Sequence, residues 1–302
     1  MRQTRQTGAQ SRSDAALYAA NTFEQLVERI EHARGLDALS NAAHAGVSRL
    51  LPNGPVKDAL SGTWLGHPTH PMFTDLPIGF WTSAFVLDLI GGRRARPFAE
   101  LFVGLGVVSA LPTAATGAAD WSDTEGRDRR VGLVHALTNT SAIALYAGSW
   151  RARRRGRQWR GVTLGMLGAT AATVGAYLGG HLFARQGVGV DHTAFDEGPV
   201  DWTPTVAEAL LSRTPTRVEL GRTAVMLLRH GSDVLAMAAT CPHRGAPLDR
   251  GTFAADTVTC PWHGSCFALD TGALLRGPSA SPLTHYETRV RNGIVELRSA
   301  PR

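Results

Sequence analysis

Four apolar stretches, near residues 73–90, 98–119, 131–150 and 161–183, dominate the middle of the chain. Each approaches the roughly 20 residues that an α-helix needs to cross the hydrocarbon of a bilayer. Backbone polar groups cannot be left bare in lipid, so such stretches have to be helical. Trp64, Trp81, Trp121, Trp150 and Trp159 lie at or near their ends, where indole rings favour the headgroup interface. In the last stretch Gly161, Gly165, Gly168, Ala172, Gly175 and Gly179 step by four and three, a small-residue stripe that admits a neighbouring helix closely. The competing reading is a soluble helical bundle, for which Asp75, Asp88 and Glu100 near the ends of the runs and the many Ala and Gly residues speak.

The formal net charge of +6 is carried almost wholly by arginine, with Lys57 the only lysine. Arg93, Arg94 and Arg96 form one cluster, and Arg151, Arg153, Arg154, Arg155, Arg157 and Arg160 a second, each beside an apolar run. Basic flanks of this kind suit a membrane protein and give no nucleic-acid face. Against Arg127, Arg129 and Arg130 in the loop between the second and third runs, the two clusters place themselves in the cytoplasm and both chain ends outside. Arg154-Arg155 could also act as an internal twin-arginine export signal. The first sixty residues show no apolar core of a cleavable signal peptide.

Around the runs the chain divides by composition. Residues 1–20 are polar and read as disordered. Residues 21–60 read as a peripheral helical segment, with Asn21-Thr22 as N-cap and Pro52-Asn53-Gly54-Pro55 as terminator. The four runs occupy 61–185, and a Gly-, Asp- and Pro-rich linker covers 186–205. From 206 to 302 the pattern becomes β: strands at Arg217–Leu220, Ala224–Arg229, Val234–Ala239, Tyr286–Arg291 and Ile294–Leu297, with a hairpin turn at Asn292-Gly293. The fold class is therefore multidomain, α plus all-β: a four-helix membrane bundle followed by a small antiparallel β domain.

The three cysteines, Cys241, Cys260 and Cys266, all fall within this β region. That excludes a disulfide framework and points to a metal site. Two short segments carry it: Cys241-Pro242-His243-Arg244-Gly245 and Cys260-Pro261-Trp262-His263-Gly264-Ser265. Two Cys and two His would also serve a four-coordinate zinc ion. The segments resemble the Rieske [2Fe-2S] family motif at every ligand position. The resemblance implies that Cys241 and Cys260 hold one iron and His243 and His263 the other. It further implies that Gly245 and Gly264 bend the backbone around the cluster, that Ser265 donates a hydrogen bond to a sulfur, and that Gly277-Pro278 belongs to a covering loop. Ala246 and Trp262 stand where the family's high-potential branch carries a disulfide, and Phe267 where it carries a tyrosine. A lower-potential, ferredoxin-like centre is expected. Cys266 reads as a packed small side chain. With 39 residues after His263, a self-contained Rieske oxygenase has no room for its catalytic-iron domain.

The stretch from Trp64 through His67-Pro68-Thr69-His70-Pro71 to Asp75-Leu76-Pro77-Ile78-Gly79, with Gly180-His181 and Gly187 to Asp191, resembles the DUF2231 membrane family. Alternating topology puts His67, His70, His135 and His181 at one membrane face, with Asn139 one turn from His135. Two readings follow: a haem b or quinone site built from His70, His135 and His181, or structural histidines that satisfy helix ends.

The chain as a whole reads as a membrane-anchored, multi-pass one-electron carrier. Its partners are an unidentified redox donor and acceptor and membrane lipid, with no nucleic acid. The alternatives are a haem- or quinone-linked membrane oxidoreductase and a redox sensor.

Overall fold

The computed structural model describes residues 22–299. The disorder expected for 1–20 and the Asn21 cap lie outside them. The helical region contains α1 (residues 22–32), α2 (Asp37–Leu50), α3 (Pro55–Ser61), α4 (Thr69–Ile90), α5 (Gly92–Trp121), α6 (Gly126–Arg154) and α7 (Gln158–Ala184). Among the described residues α4, α5 and α7 are long and apolar enough to cross a membrane. The third apolar run also forms a long helix, α6, but its composition falls short of that of the other three. The difference lies in Thr138, Asn139, Ser141 and the charged turns at both ends, so the helices that are apolar enough to span number three rather than four.

By packing, the chain resolves into two compact units. One takes the described part of Met1–Gly46 with Ser83–Gly104 and Thr124–Gln186; the other takes Val47–Thr82, Leu105–Asp123 and the described part of Gly187–Arg302.

In the first unit α6 and α7 pack along the small-residue stripe, and the stripe receives side chains. A β-carbon placed at Gly161 would meet Arg153, at Gly165 Ser149, at Gly168 Tyr146, at Gly175 Asn139 and at Gly179 His135. The stripe is a row of sockets for one face of α6. Substituting Gly175 by Ala puts the new carbon 2.5 Å from Asn139 Oδ1; overpacking of this kind costs about 1–3 kcal/mol. Thermal unfolding in detergent should therefore show Gly175→Ala destabilised. Gly180→Ala, where nothing lies within 4 Å, should be neutral or stabilised by up to about 1 kcal/mol.

The same unit explains two of the charges that spoke for a soluble bundle or for a site. Arg153 closes a two-pronged pair with Asp88, with Nη1 to Oδ1 at 2.8 Å and Nη2 to Oδ2 at 2.5 Å, its side chain only 1 % exposed. Asp88 is thus neutralised on an apolar helix. His181 Nε2 lies 2.8 Å from Glu31 Oε1, which also accepts from Gln186. Burial alone would raise the Glu31 carboxyl, but these hydrogen bonds outweigh it and hold it below its ordinary value.

The β region forms two sheets. Strands β1 (Thr203–Ala207), β2 (Thr216–Leu220), β3 (Thr223–His230), β4 (Asp233–Ala238), β9 (His285–Arg291) and β10 (Ile294–Ser299) make a six-stranded antiparallel sheet in the order β1-β10-β9-β4-β3-β2. β5 (Thr252–Ala254), β6 (Thr257–Thr259), β7 (Cys266–Ala268) and β8 (Leu274–Arg276) make a four-stranded meander. All the expected strands are present. Asn292 and Gly293 take φ of 52° and 74° and join β9 to β10, as a type I′ turn requires. The apolar run of β3 is buried on both faces. Val225 and Leu227 pack with Ala236, Tyr286, Val295 and Leu297, while Ala224, Met226 and Leu228 face the other way. That second core also contains Cys241, Ala246, Leu248, Val258, Cys260 and Phe267, so the two cysteine segments are anchored in the interior.

Candidate metal centre

The two cysteine segments fold into loops with one hydrogen-bond frame. Cys241 N–H donates to Ala246 O at 2.8 Å and Gly245 N–H to Cys241 O at 2.9 Å. In the second loop Cys260 N–H donates to Ser265 O at 2.8 Å and Gly264 N–H to Cys260 O at 3.2 Å. Gly245 and Gly264 close these frames with φ of 75° and 80°, a region that side-chain-bearing residues avoid.

The repeated frame brings like donors together. The Cys241 and Cys260 thiols hydrogen-bond to each other, and the His243 and His263 rings meet edge-on with centroids 4.9 Å apart. The Cys260 thiol is lowered to about 6 by the bond from Cys241, helped by the backbone amides of His263, Trp262 and Gly264. Cys241 is correspondingly raised, by its bond to Cys260 and by burial, so the pair holds one proton between them. Burial, reinforced by the charges of His263, Arg244, Lys57 and His192, drives His243 well below its ordinary value and keeps the imidazole neutral. Its Nδ1 is buried with no hydrogen-bond partner, and the Nδ1 of His263 is also out of contact with solvent. A neutral imidazole at His243 and a lowered thiol at Cys260 are what metal ligation demands. Among the described residues no three His, Cys, Asp or Glu side chains converge on one position. The like-with-like pairing fits a two-iron centre, with a thiolate pair for one iron and an imidazole pair for the other.

Ser265, fully buried, accepts from the Ser279 amide at 3.0 Å, which leaves its hydroxyl proton available. The Gly277-Pro278 turn lies on this loop so closely that a β-carbon at 277 would stand 2.4 Å from Ser265 Cα. Cys266 is buried in β7, and all three cysteines are free. Trp262 is exposed beside His263.

Several contacts were not foreseen from the sequence. In the stretch read as a linker, His192 N–H donates to Pro242 O at 2.9 Å. Lys57 and Asp123 form an ion pair of 2.6 Å with side chains 5 % and 4 % exposed. Asp123 Oδ2 then lies 3.9 Å from His243 Nε2. Asn53 Nδ2 donates to His263 O at 3.5 Å and Thr63 Oγ1 to Gly277 O. The signal available in the sequence was Lys57 itself, a lone lysine in an arginine-rich chain.

Most of the helical histidines already hold hydrogen-bond partners within the protein. His70 Nδ1 donates to Thr113 O at 3.0 Å. His135 Nδ1 donates to Gly175 O at 2.8 Å, and Asn139 bonds the His135 carbonyl at 3.0 Å. His181 is engaged with Glu31, and His67 lies exposed before α4. His70 belongs to one compact unit, His135 and His181 to the other. These contacts fit the structural reading of the histidines and give a haem or quinone no support.

Comparison with known proteins agrees with the loop geometry. The Rieske [2Fe-2S] domain pattern matches residues 201–287. Ferredoxin CarAc of Metapseudomonas resinovorans is 34% identical over 76 residues, which cover 25% of this chain and 71% of that protein. This chain belongs to the Rieske [2Fe-2S] family. Its cofactor is therefore a [2Fe-2S] cluster. The pattern described as "Predicted membrane protein (DUF2231)" matches residues 66–192 of this Rieske protein, and the three apolar helices are consistent with a membrane location. Apoptosis-inducing factor 3 of Mus musculus is 36% identical over 83 residues, 28% of this chain but only 14% of that protein. The Rieske chain thus spans about a seventh of that relative's length. A solved ferredoxin of carbazole 1,9a-dioxygenase from Nocardioides aromaticivorans is 27% identical, with 33% of this chain and 98% of that one covered at a TM-score of 0.31.

Proposed function

We propose that Cys241, His243, Cys260 and His263 hold the cluster, the thiolates on one iron and the imidazoles on the other, in a membrane-anchored one-electron carrier. The observation that carries this reading is the repeated loop frame, which sets thiol beside thiol and imidazole beside imidazole. When bound, the cluster supplies a single-electron couple whose potential rises with histidine ligation. The chain's own residues do the rest. The amides of the second loop neutralise thiolate charge at Cys260, burial keeps His243 neutral, and Ser265 offers one hydroxyl proton to a sulfur. Phe267, fully buried, offers none. Fewer donors favour a potential low in the range of about −150 to +300 mV found for such centres. The exposed indole of Trp262 beside His263 marks the edge at which a soluble donor or acceptor approaches.

In the membrane, α6 lies along the sockets of α7 from His135 to Arg153, so it crosses together with α7 and gives four spans. The two arginine clusters then face the cytoplasm, and the Rieske domain the outer side. The family's ferredoxins suggest a small redox protein or an oxygenase component as partner class.

The test is an EPR and visible spectrum of the full-length protein in detergent, oxidised and dithionite-reduced. A reduced signal with the low average g of a nitrogen-ligated [2Fe-2S] centre is expected. Zinc without iron, in protein made with adequate iron supply, would overturn the reading.

A further inference from the structure

We infer that the Lys57–Asp123 pair, contributed from outside the residues matched to the Rieske domain, acts as an electrostatic positioning element for the cluster, holding His243 and setting the cluster's potential. The inference rests on the ligand reading above. The pair is desolvated: both side chains are about 95 % buried and 2.6 Å apart. In such surroundings a charge acts over several ångströms with little screening. One carboxylate oxygen is satisfied by Lys57; the other, Oδ2, is buried, has no hydrogen-bond partner and lies 3.9 Å from His243 Nε2. His243 thus has its two nitrogens differently committed, Nδ1 left for iron and Nε2 turned to Asp123. Lys57 also donates to Asn53 Oδ1 at 3.2 Å, and Asn53 reaches the backbone of His263. Both imidazole ligands are therefore braced from one lysine. A lysine suits the position because a compact ammonium can serve two acceptors where a planar guanidinium would need more room.

The two charges push the couple in opposite directions. A carboxylate beside His243 stabilises the oxidised cluster, and an ammonium stabilises the reduced one. Removing Asp123 while keeping Lys57 should raise the potential, and removing Lys57 while keeping Asp123 should lower it. A purely structural role would not produce opposite signs.

The experiment is an EPR-monitored redox titration of the full-length protein in detergent at one fixed pH. Asp123→Asn is expected to shift the reduction equilibrium about tenfold towards the reduced form, about 59 mV for one electron. Lys57→Gln is expected to shift it by a similar factor the other way, and the double variant to return close to wild type. Lys57→Arg, which keeps the charge, should stay within about threefold of wild type. Shifts of the same sign, shifts below about twofold in both single variants, or loss of the cluster from both would overturn the inference. A wild-type protein without the [2Fe-2S] signal would instead remove the ligand reading on which it rests.

Discussion

Cys260→Ser is expected to abolish the cluster, with iron and labile sulfide lost from the purified protein and no EPR signal on reduction. Cys260 is the proposed ligand whose thiolate is most strongly prepared, since Cys241 and three backbone amides all donate to its sulfur. A serine hydroxyl cannot be deprotonated by that environment, and the loss should exceed the about 10–100-fold that outer-shell substitutions cost in metal affinity. The loop frame is built from backbone groups, so the six-stranded sheet should stay folded. Cys266→Ser supplies the contrast. That thiol is buried in β7, and its replacement should leave the cluster in place. Iron content and the reduced EPR spectrum of the two variants side by side decide the matter; retention of a full cluster by Cys260→Ser would remove it from the ligand set.

The second large effect belongs to the helical region. Asp88→Leu strips the partner from Arg153, whose side chain is 1 % exposed, and leaves a buried guanidinium uncompensated. Breaking a buried pair in this way typically costs about 3–5 kcal/mol, whereas replacing both members by apolar residues of similar volume is often neutral or stabilising. Asp88→Leu should therefore unfold at markedly lower temperature in detergent, and Asp88→Leu with Arg153→Met should recover most of the loss. Equal destabilisation by the single and double substitutions would show that the pair is worth more than its replacement. The same pair bears on topology, because Arg153 is one of the arginines counted towards the cytoplasmic side and its charge is already balanced. The orientation argument then leans on the remaining exposed arginines of the clusters.

The parts of the fold that could be read in the sequence share a local cause. Alternation and the Asn292-Gly293 turn mark β9 and β10, and a continuous apolar run marks β3, because neighbours in the chain decide those elements. The short strands β5 to β8 and β1 were missed. Three residues such as Thr252–Ala254 carry too little pattern, and their existence depends on the cluster loops they frame. The motif itself was fully legible, since each loop needs a fixed order of thiol, imidazole and glycine. The Lys57–Asp123 brace was not, because 66 residues separate its members and nothing local distinguishes an ion pair of this kind. The histidines of the helices left two readings open. Their shared face allowed a cofactor, whereas His70 and His135 bond backbone carbonyls and His181 bonds Glu31.

The sockets of α7 repeat every seven residues, from Gly161 to Gly168 to Gly175, and the side chains that fill them from α6 repeat in step: Arg153, Tyr146, Asn139. A slide of one repeat, about 10 Å along the axis, would bring Leu182 into the socket that takes Asn139, or Ala172 into the one that takes His135. Two bonds near the ends hold the present position: Ser149 Oγ donates to Gly161 O at 2.6 Å, and His135 Nδ1 donates to Gly175 O at 2.8 Å. The helix pair works as a lock in which glycine provides a repeating keyway and the larger residues that interrupt the repeat select one position of it.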